Sequence, residues 1–211
     1  RQYFPAEAAR YPTSNYAQFK SVNGTNFPVN SLAFDASTNE SVFFRGVANN
    51  FNLTGVEVRL RWYADTGTTG TCIWGVQLAA ITPNTDSADI ETKALTTEQT
   101  ITSTHLGTTG QRLQESVLVL TNIDSIADLD DMTIKVTRKA SSDTMTGDAF
   151  LTGVLVRTTS EPPPPIVPEG GGGSTATSEL PAFNTATPNK IVNPGLAPNG
   201  TTAISTIQAA V

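Results

Sequence analysis

The chain has 211 residues, 38% of them hydrophobic and only 15% charged, with 13 Lys+Arg against 19 Asp+Glu. That length suits one domain with appendages, and a net charge of −6 offers no basic surface to neutralise phosphates, which argues against nucleic acid as a partner. A single cysteine (Cys72) and a single histidine (His105) rule out an intrachain disulfide, a cysteine-built metal site and a histidine dyad, and no run approaches the ~18 apolar residues of a membrane helix.

Taken from the start, residues 1–26 carry Arg1, Arg10 and Lys20 against Glu7 and crowd Tyr3, Phe4, Tyr11, Tyr16 and Phe19 around Pro5 and Pro12. This stretch reads as an extended N-terminal arm. Its aromatics either pack on the domain's own surface or dock a neighbouring subunit, with Tyr3, Phe4 and Tyr11 the candidates for partner contact.

Residues 27–160 hold nine basic and fifteen acidic groups and read as short strands separated by turn chemistry. Strands are predicted at 29–34, 40–47, 56–63, 71–81, 96–104, 114–121, 132–138 and 150–157. Val56, Val58, Leu60 and Trp62 alternate with Glu57, Arg59, Arg61 and Tyr63, the period of two that gives a strand one apolar face. Asp65 to Gly70 is glycine-rich and predicts a hairpin between the third and fourth of these strands. The 71–81 strand is apolar on both faces and should be central. Eight antiparallel strands at this spacing predict an all-β, jelly-roll-like β-sandwich.

Candidate sites are few. Asp124, Asp128, Asp130 and Asp131 cluster where a hard cation could find oxygen ligands, and Asp86, Asp89 and Glu91 form a second acidic loop. Neither has the spacing of a calcium loop, and acidic turns between strands are ordinary. His105 reads as a turn residue, not a base. No nucleophile elbow, phosphate loop or paired-carboxylate motif is present, so an enzyme is not expected and no catalytic, cofactor or metal residues are nominated. Trp62 and Trp74 fall within the apolar sets of their strands and belong to the core, although exposed aromatics can serve as sugar platforms. Phe43 and Phe44 are adjacent, so only one of them can face the core.

From Glu161 onward the composition changes. Pro162 to Pro165 cannot donate to a ladder and favour a stiff polyproline rod, and Gly170 to Gly173 follow as a flexible stretch. Residues 161–211 read as a second extended arm whose spaced apolar residues are candidate partner anchors: Ile166, Val167, Leu180, Phe183, Ile191, Val192, Leu196, Ile204 and Ile207.

Several pieces of the body carry a resemblance. Leu32-Ala33-Phe34-Asp35 with Glu40-Ser41-Val42-Phe43-Phe44-Arg45 is similar to the opening of a jelly-roll domain found in structural proteins of tailed bacteriophages. So are Val58-Arg59-Leu60-Arg61-Trp62-Tyr63-Ala64 and Ile73-Trp74-Gly75-Val76-Gln77, and Asp143 to Asp148 resembles that domain's last hairpin. The resemblance covers about residues 15–158. It implies a virion structural protein without catalytic residues. A capsid decoration or cement protein is expected, on the outer shell, its arms bound to the major capsid protein or other virion proteins, as a homo-oligomer with a trimer favoured. The alternative is a tail-fibre or baseplate module that binds host glycans.

Overall fold

The computed structural model describes residues 1–49, 55–65, 69–106 and 111–159. Among them are ten strands: β1 (Gln2–Pro5), β2 (Gln18–Asn23), β3 (Pro28–Phe34), β4 (Glu40–Val47), β5 (Val56–Ala64), β6 (Thr71–Ile81), β7 (Gln99–Thr104), β8 (Gln114–Leu120), β9 (Asp131–Arg138) and β10 (Ala149–Thr158). The one helical element described is a 3-10 turn, Ala6–Ala8. The protein is an all-β sandwich of two antiparallel sheets. The first runs β2-β3-β10-β5-β8 with β1 also on β10, and the second runs β4-β9-β6-β7.

All eight expected strands form, with boundaries shifted by three residues or fewer. Two more, β1 and β2, lie in the stretch read as an N-terminal arm. β1 forms because β10 is longer than its partner: β3 pairs with it only from Ala149 to Leu151, and β1 takes the same edge from Gly153 to Val156, whereas β2 adds to the far side of β3. Between β1 and β2 the chain crosses to the second sheet and lines the edge of β4 through bridges Arg10–Phe43 and Tyr16–Ser41. Residues 1–26 are therefore woven into the body.

The expected hairpin at Asp65–Gly70 is not one. β5 pairs with β10 and β8 in the first sheet, whereas β6 pairs with β9 and β7 in the second, so this connection passes between sheets. The same holds for β9 and β10, whose linker resembled a last hairpin. Glycine is still required there. Gly70 sits at φ +111, and a Cβ on it would lie 2.4 Å from the Thr144 carbonyl oxygen. Turn composition reports a chain reversal and not which sheet the next strand joins.

The core lies between the sheets and is built from the predicted apolar faces. Val56, Val58, Leu60 and Trp62 of β5 oppose Cys72, Trp74, Val76 and Leu78 of β6, and all eight are fully buried. Trp62 and Trp74 meet edge-on at 5.7 Å, and Phe34 stands perpendicular to Trp74 at 5.1 Å. The Trp62 indole N–H donates to Ser116 Oγ (2.8 Å), which removes the cost of burying it. Burial also pushes the Cys72 thiol well above its usual range, so it stays protonated and acts as a small apolar filler.

A buried ion pair sits in this core. Arg138, at the end of β9, is fully buried and pairs with Asp143, whose side chain is 1% exposed. Its five N–H groups are matched by Asp143 Oδ2 (2.9 Å) and Oδ1 (3.4 Å) and by the carbonyls of Phe34, Gly147 and Met145 (3.1, 2.8 and 2.9 Å). Replacing Arg138 with Ala strands the Asp143 carboxylate in an apolar interior and is expected to cost about 3–5 kcal/mol. Urea unfolding of the variant checks this; a loss below about 1 kcal/mol would show the pair to be dispensable.

The β3–β4 turn is closed by Asp35, whose Oδ1 accepts from the Ser37 N–H, the Ser37 hydroxyl and the Thr38 N–H at 2.7–2.8 Å. These bonds, the Ser37 hydroxyl foremost, hold the Asp35 carboxyl at about 2, below its ordinary 3.8. A depressed folded-state pKa stabilises above the unfolded value and is lost on acidification. The Tm difference between wild type and Asp35→Asn should therefore shrink as pH falls from about 4 to 2. A difference that stays constant over that window would exclude the linkage.

Candidate functional site

The sequence-nominated aromatics separate once the N-terminal stretch folds. Phe4 points into the core, 4% exposed and 5.7 Å from Phe44, because alternate residues of β1 face opposite sides of the sheet. It is not available to a partner. Tyr3 faces outward and is 48% exposed. Tyr11 and Tyr16 flank the bridge segment on β4, meet edge-on at 5.6 Å and stay nearly half exposed. Partial burial raises the Tyr11 phenol pKa.

The crossing leads into the most exposed element of the sandwich. All six residues of β2 are exposed, including Phe19 and Val22, and Phe27 at the β2–β3 tip is 68% exposed. β3 pairs with β10 only over Leu32 to Phe34, so Pro28 to Ser31 pair with β2 alone, and Val29 packs on the cluster of Ala33, Tyr63 and Phe150. The base of the hairpin is tied down where Asn30 Nδ2 donates to Glu7 (2.6 Å) and where Lys20 lies over the Phe150 ring at 5.1 Å. Phe19, Val22 and Phe27 are each exposed, with Phe19 and Val22 on opposite faces of β2.

The outer face of the first sheet is different in kind. Glu57 accepts from Arg157 (2.8 Å) and pairs with Arg59, and Glu115 accepts from Arg59 (2.6 Å) and Arg61 (3.2 Å). The Arg157 contact, ahead of Arg59, holds the Glu57 carboxyl below its usual range. Tyr3 lies across Gly153, where an added Cβ would fall 2.3 Å from its hydroxyl oxygen, and the Arg61 guanidinium stands 5.9 Å from its ring centre. The result is an exposed ring laid on the sheet beside a ladder of guanidinium and carboxylate groups. Tyr63, the aromatic that its strand position offers for sugar contact, is 8% exposed and packed on Phe150 at 5.2 Å.

The remaining candidates fall as follows. Trp62 and Trp74 are core residues, and of the adjacent pair Phe44 is buried while Phe43 is half-buried beside Ile90 and Leu95. Asp86, Asp124 and Asp130 line an open polar cleft of about 360 Å³ together with Lys93 and Ser125. Asp124 is occupied structurally, accepting from the Ala80 N–H (2.8 Å) and pairing with Lys93 (3.0 Å). Among the described residues no group of three or more His, Cys, Asp and Glu is placed to hold a metal ion. His105 is buried, and neither ring nitrogen has a hydrogen-bond partner in the described structure. Ile166, Val167, Leu180, Phe183, Ile191, Val192, Leu196, Ile204 and Ile207 lie outside the described residues.

Sequence reading overlooked Val22, Phe27, Arg61 and Glu115. The first two sit in a hairpin without clean alternation, and the last two become neighbours only through the β5–β8 register.

No protein-family model and no curated protein matches the chain. Among solved structures it is similar to a carbohydrate-binding module, CBM28, specific for non-crystalline cellulose (13% identity over 72% of this chain and 89% of that one, TM-score 0.43). It is also similar to CBM35 from Paenibacillus barcinonensis (16%, 74% and 98%, TM-score 0.39). A third similar structure is the carbohydrate-binding module CBM36 in complex with calcium and xylotriose (16%, 74% and 100%, TM-score 0.40). At these values none of the likenesses bears on the residues of the surfaces described above.

Proposed function

We propose that the chain is a non-enzymatic structural module of a virion, working by docking on neighbouring protein subunits. The observation that carries this reading is the β2–β3 hairpin, exposed along all of β2 and carrying the exposed Phe19, Val22 and Phe27. A strand edge of this kind offers main-chain groups for pairing and apolar side chains for burial, the ordinary means of protein–protein attachment. The sequence resemblance to phage jelly-roll domains supports the virion setting. On this reading the protein decorates or cements the outer shell, its partner is the major capsid protein, and residues 161–211 supply a second, reaching contact. Phe27→Ser removes an exposed side chain, so stability should stay within about 0.5 kcal/mol. Occupancy on particles lacking the protein should drop several-fold, and deleting 161–211 should abolish it. Full occupancy by both variants, measured by quantitative gel of purified particles, would overturn the docking role.

A second reading rests on the outer face of the first sheet. Tyr3, half-exposed with its phenol end over Gly153 and the Arg61 guanidinium over its ring, combines an aromatic with the hydrogen-bonding Arg61–Glu115 pair, a combination that recognises sugars. It makes the module a glycan-binding one of a fibre or baseplate. Wild type should then retain specific glycans on an array and Tyr3→Ala should lose them at least tenfold; no binding by wild type would eliminate it.

A further inference from the structure

The ion pairs on the outer face of the first sheet form one linked series. Arg157 grips Glu57 at two points, Nε to Oε1 (2.8 Å) and Nη2 to Oε2 (3.2 Å). Arg59 bridges Glu57 to Glu115, and Arg61 ends the series through a single contact, Nε to Glu115 Oε1 (3.2 Å). The order is Arg157, Glu57, Arg59, Glu115, Arg61, so three guanidinium groups alternate with two carboxylates in a chain whose net charge is −6. Both ends are cations. The series is one carboxylate short.

The two ends are not equivalent. At one, the Arg157 side chain is 14% exposed and engages both oxygens of Glu57. At the other, the Arg61 side chain is 45% exposed, and neither of its Nη nitrogens makes a hydrogen bond among the described residues. Strand register explains why no side chain supplies the missing acceptor. Arg61 faces Glu115 on β8, but on β10 it faces Gly153, which has no side chain, and the residue opposite that glycine on β1 is Pro5. The phenol end of Tyr3 lies over Gly153, with its ring centre 5.9 Å from the Arg61 guanidinium carbon. A ring face attracts the cation and steadies it, yet leaves the in-plane N–H groups without an acceptor.

We infer that this position binds the carboxylate of an acidic sugar, a uronic acid residue, and that Arg61 is the residue that selects for it. The inference rests on the glycan-binding reading of this face and names its ligand class. The two Nη groups lie side by side, and a carboxylate meets them with parallel N–H···O bonds, a stronger and more directional contact than a sugar hydroxyl makes. Such a ligand completes the alternation of the series, while the half-exposed Tyr3 ring offers apolar surface to the C–H groups of the sugar. Glu115 does not cancel the attraction, because its charge is already shared between Arg59 and Arg61. An acidic chain has no general affinity for polyanions, so retention of one reports a local site.

The test uses the full chain and three probes, polygalacturonate, alginate and hyaluronate, each beside its methyl-esterified form, which keeps the sugar and removes the charge. Wild type should bind at least one acid form, and its ester more weakly by about tenfold or more. Arg61→Gln should reduce binding of the acid to the level of the ester, and Arg61→Lys, which keeps the charge without the fork, should fall between. Lys135→Gln, on β9 of the other sheet, should bind as wild type does. Equal binding of acid and ester, a preference that survives in Arg61→Gln, or an equal loss in Lys135→Gln would each overturn the inference. Neutral glycans retained through Tyr3 without any preference for acids would sink the acidic ligand alone and leave the glycan reading standing. No binding of any glycan, acidic or neutral, would remove both.

Discussion

The sandwich depends on a charge placed where apolar contact alone would be expected. Arg138 ends the second sheet's inner strand β9, yet its guanidinium reaches the Phe34 carbonyl at the end of β3 in the first sheet and clamps the linker to β10 through Met145 and Gly147. Two sheets held only by interdigitating side chains can slide with little penalty, because apolar contact is non-directional. A rigid fork with five directed donors cannot be satisfied at any other offset. The pair with Asp143 contributes little net energy by itself; its effect is to make alternatives expensive.

With the sheets locked in that offset, the geometry of the surfaces follows. β10 is committed to β5 along its whole length and to β3 for three residues, which leaves its remaining edge for β1. Tyr3 is thereby set opposite Leu155 and beside the glycine at 153 that accepts its ring. The same short β3–β10 pairing leaves Pro28 to Ser31 with β2 as their only strand partner. One bulge-bearing strand, with its register shift between Leu151 and Gly153, thus decides where both candidate surfaces lie.

Most of the body was legible in the sequence because its strands are half-buried and so alternate, or doubly buried and so apolar throughout. β6 was read to the residue. What could not be read was connectivity: the glycines of 65–70 announce a turn, but a turn within a sheet and a turn between sheets use the same residues. β1 and β2 were missed for a related reason. Gln2–Pro5 is too short to show a period, and β2 buries neither face, so its apolar residues obey no pattern that burial would impose. Phe4 looked like its neighbour Tyr3 because only the partner strand determines which of two adjacent aromatics turns inward. The candidate surfaces were legible as composition and not as position.

The placement of β10 has a consequence for how the chain comes to be folded. β1, β3 and β5 all find their partner in the last strand, and β1 must wait for residues about 150 positions further on. At ribosomal speeds of roughly 5–20 residues per second, that is a delay of about 8–30 s during which half of the sandwich has no template. The second sheet faces a shorter wait, roughly 90 residues from β4 to β9, the strand that joins β4 to β6. The β2–β3 and β6–β7 pairs can form as the chain emerges, but neither sheet can be completed until the late strands arrive. The chain's aromatic leader stays unsheltered until the body closes in a single late event, and its vulnerability to aggregation is concentrated in that interval.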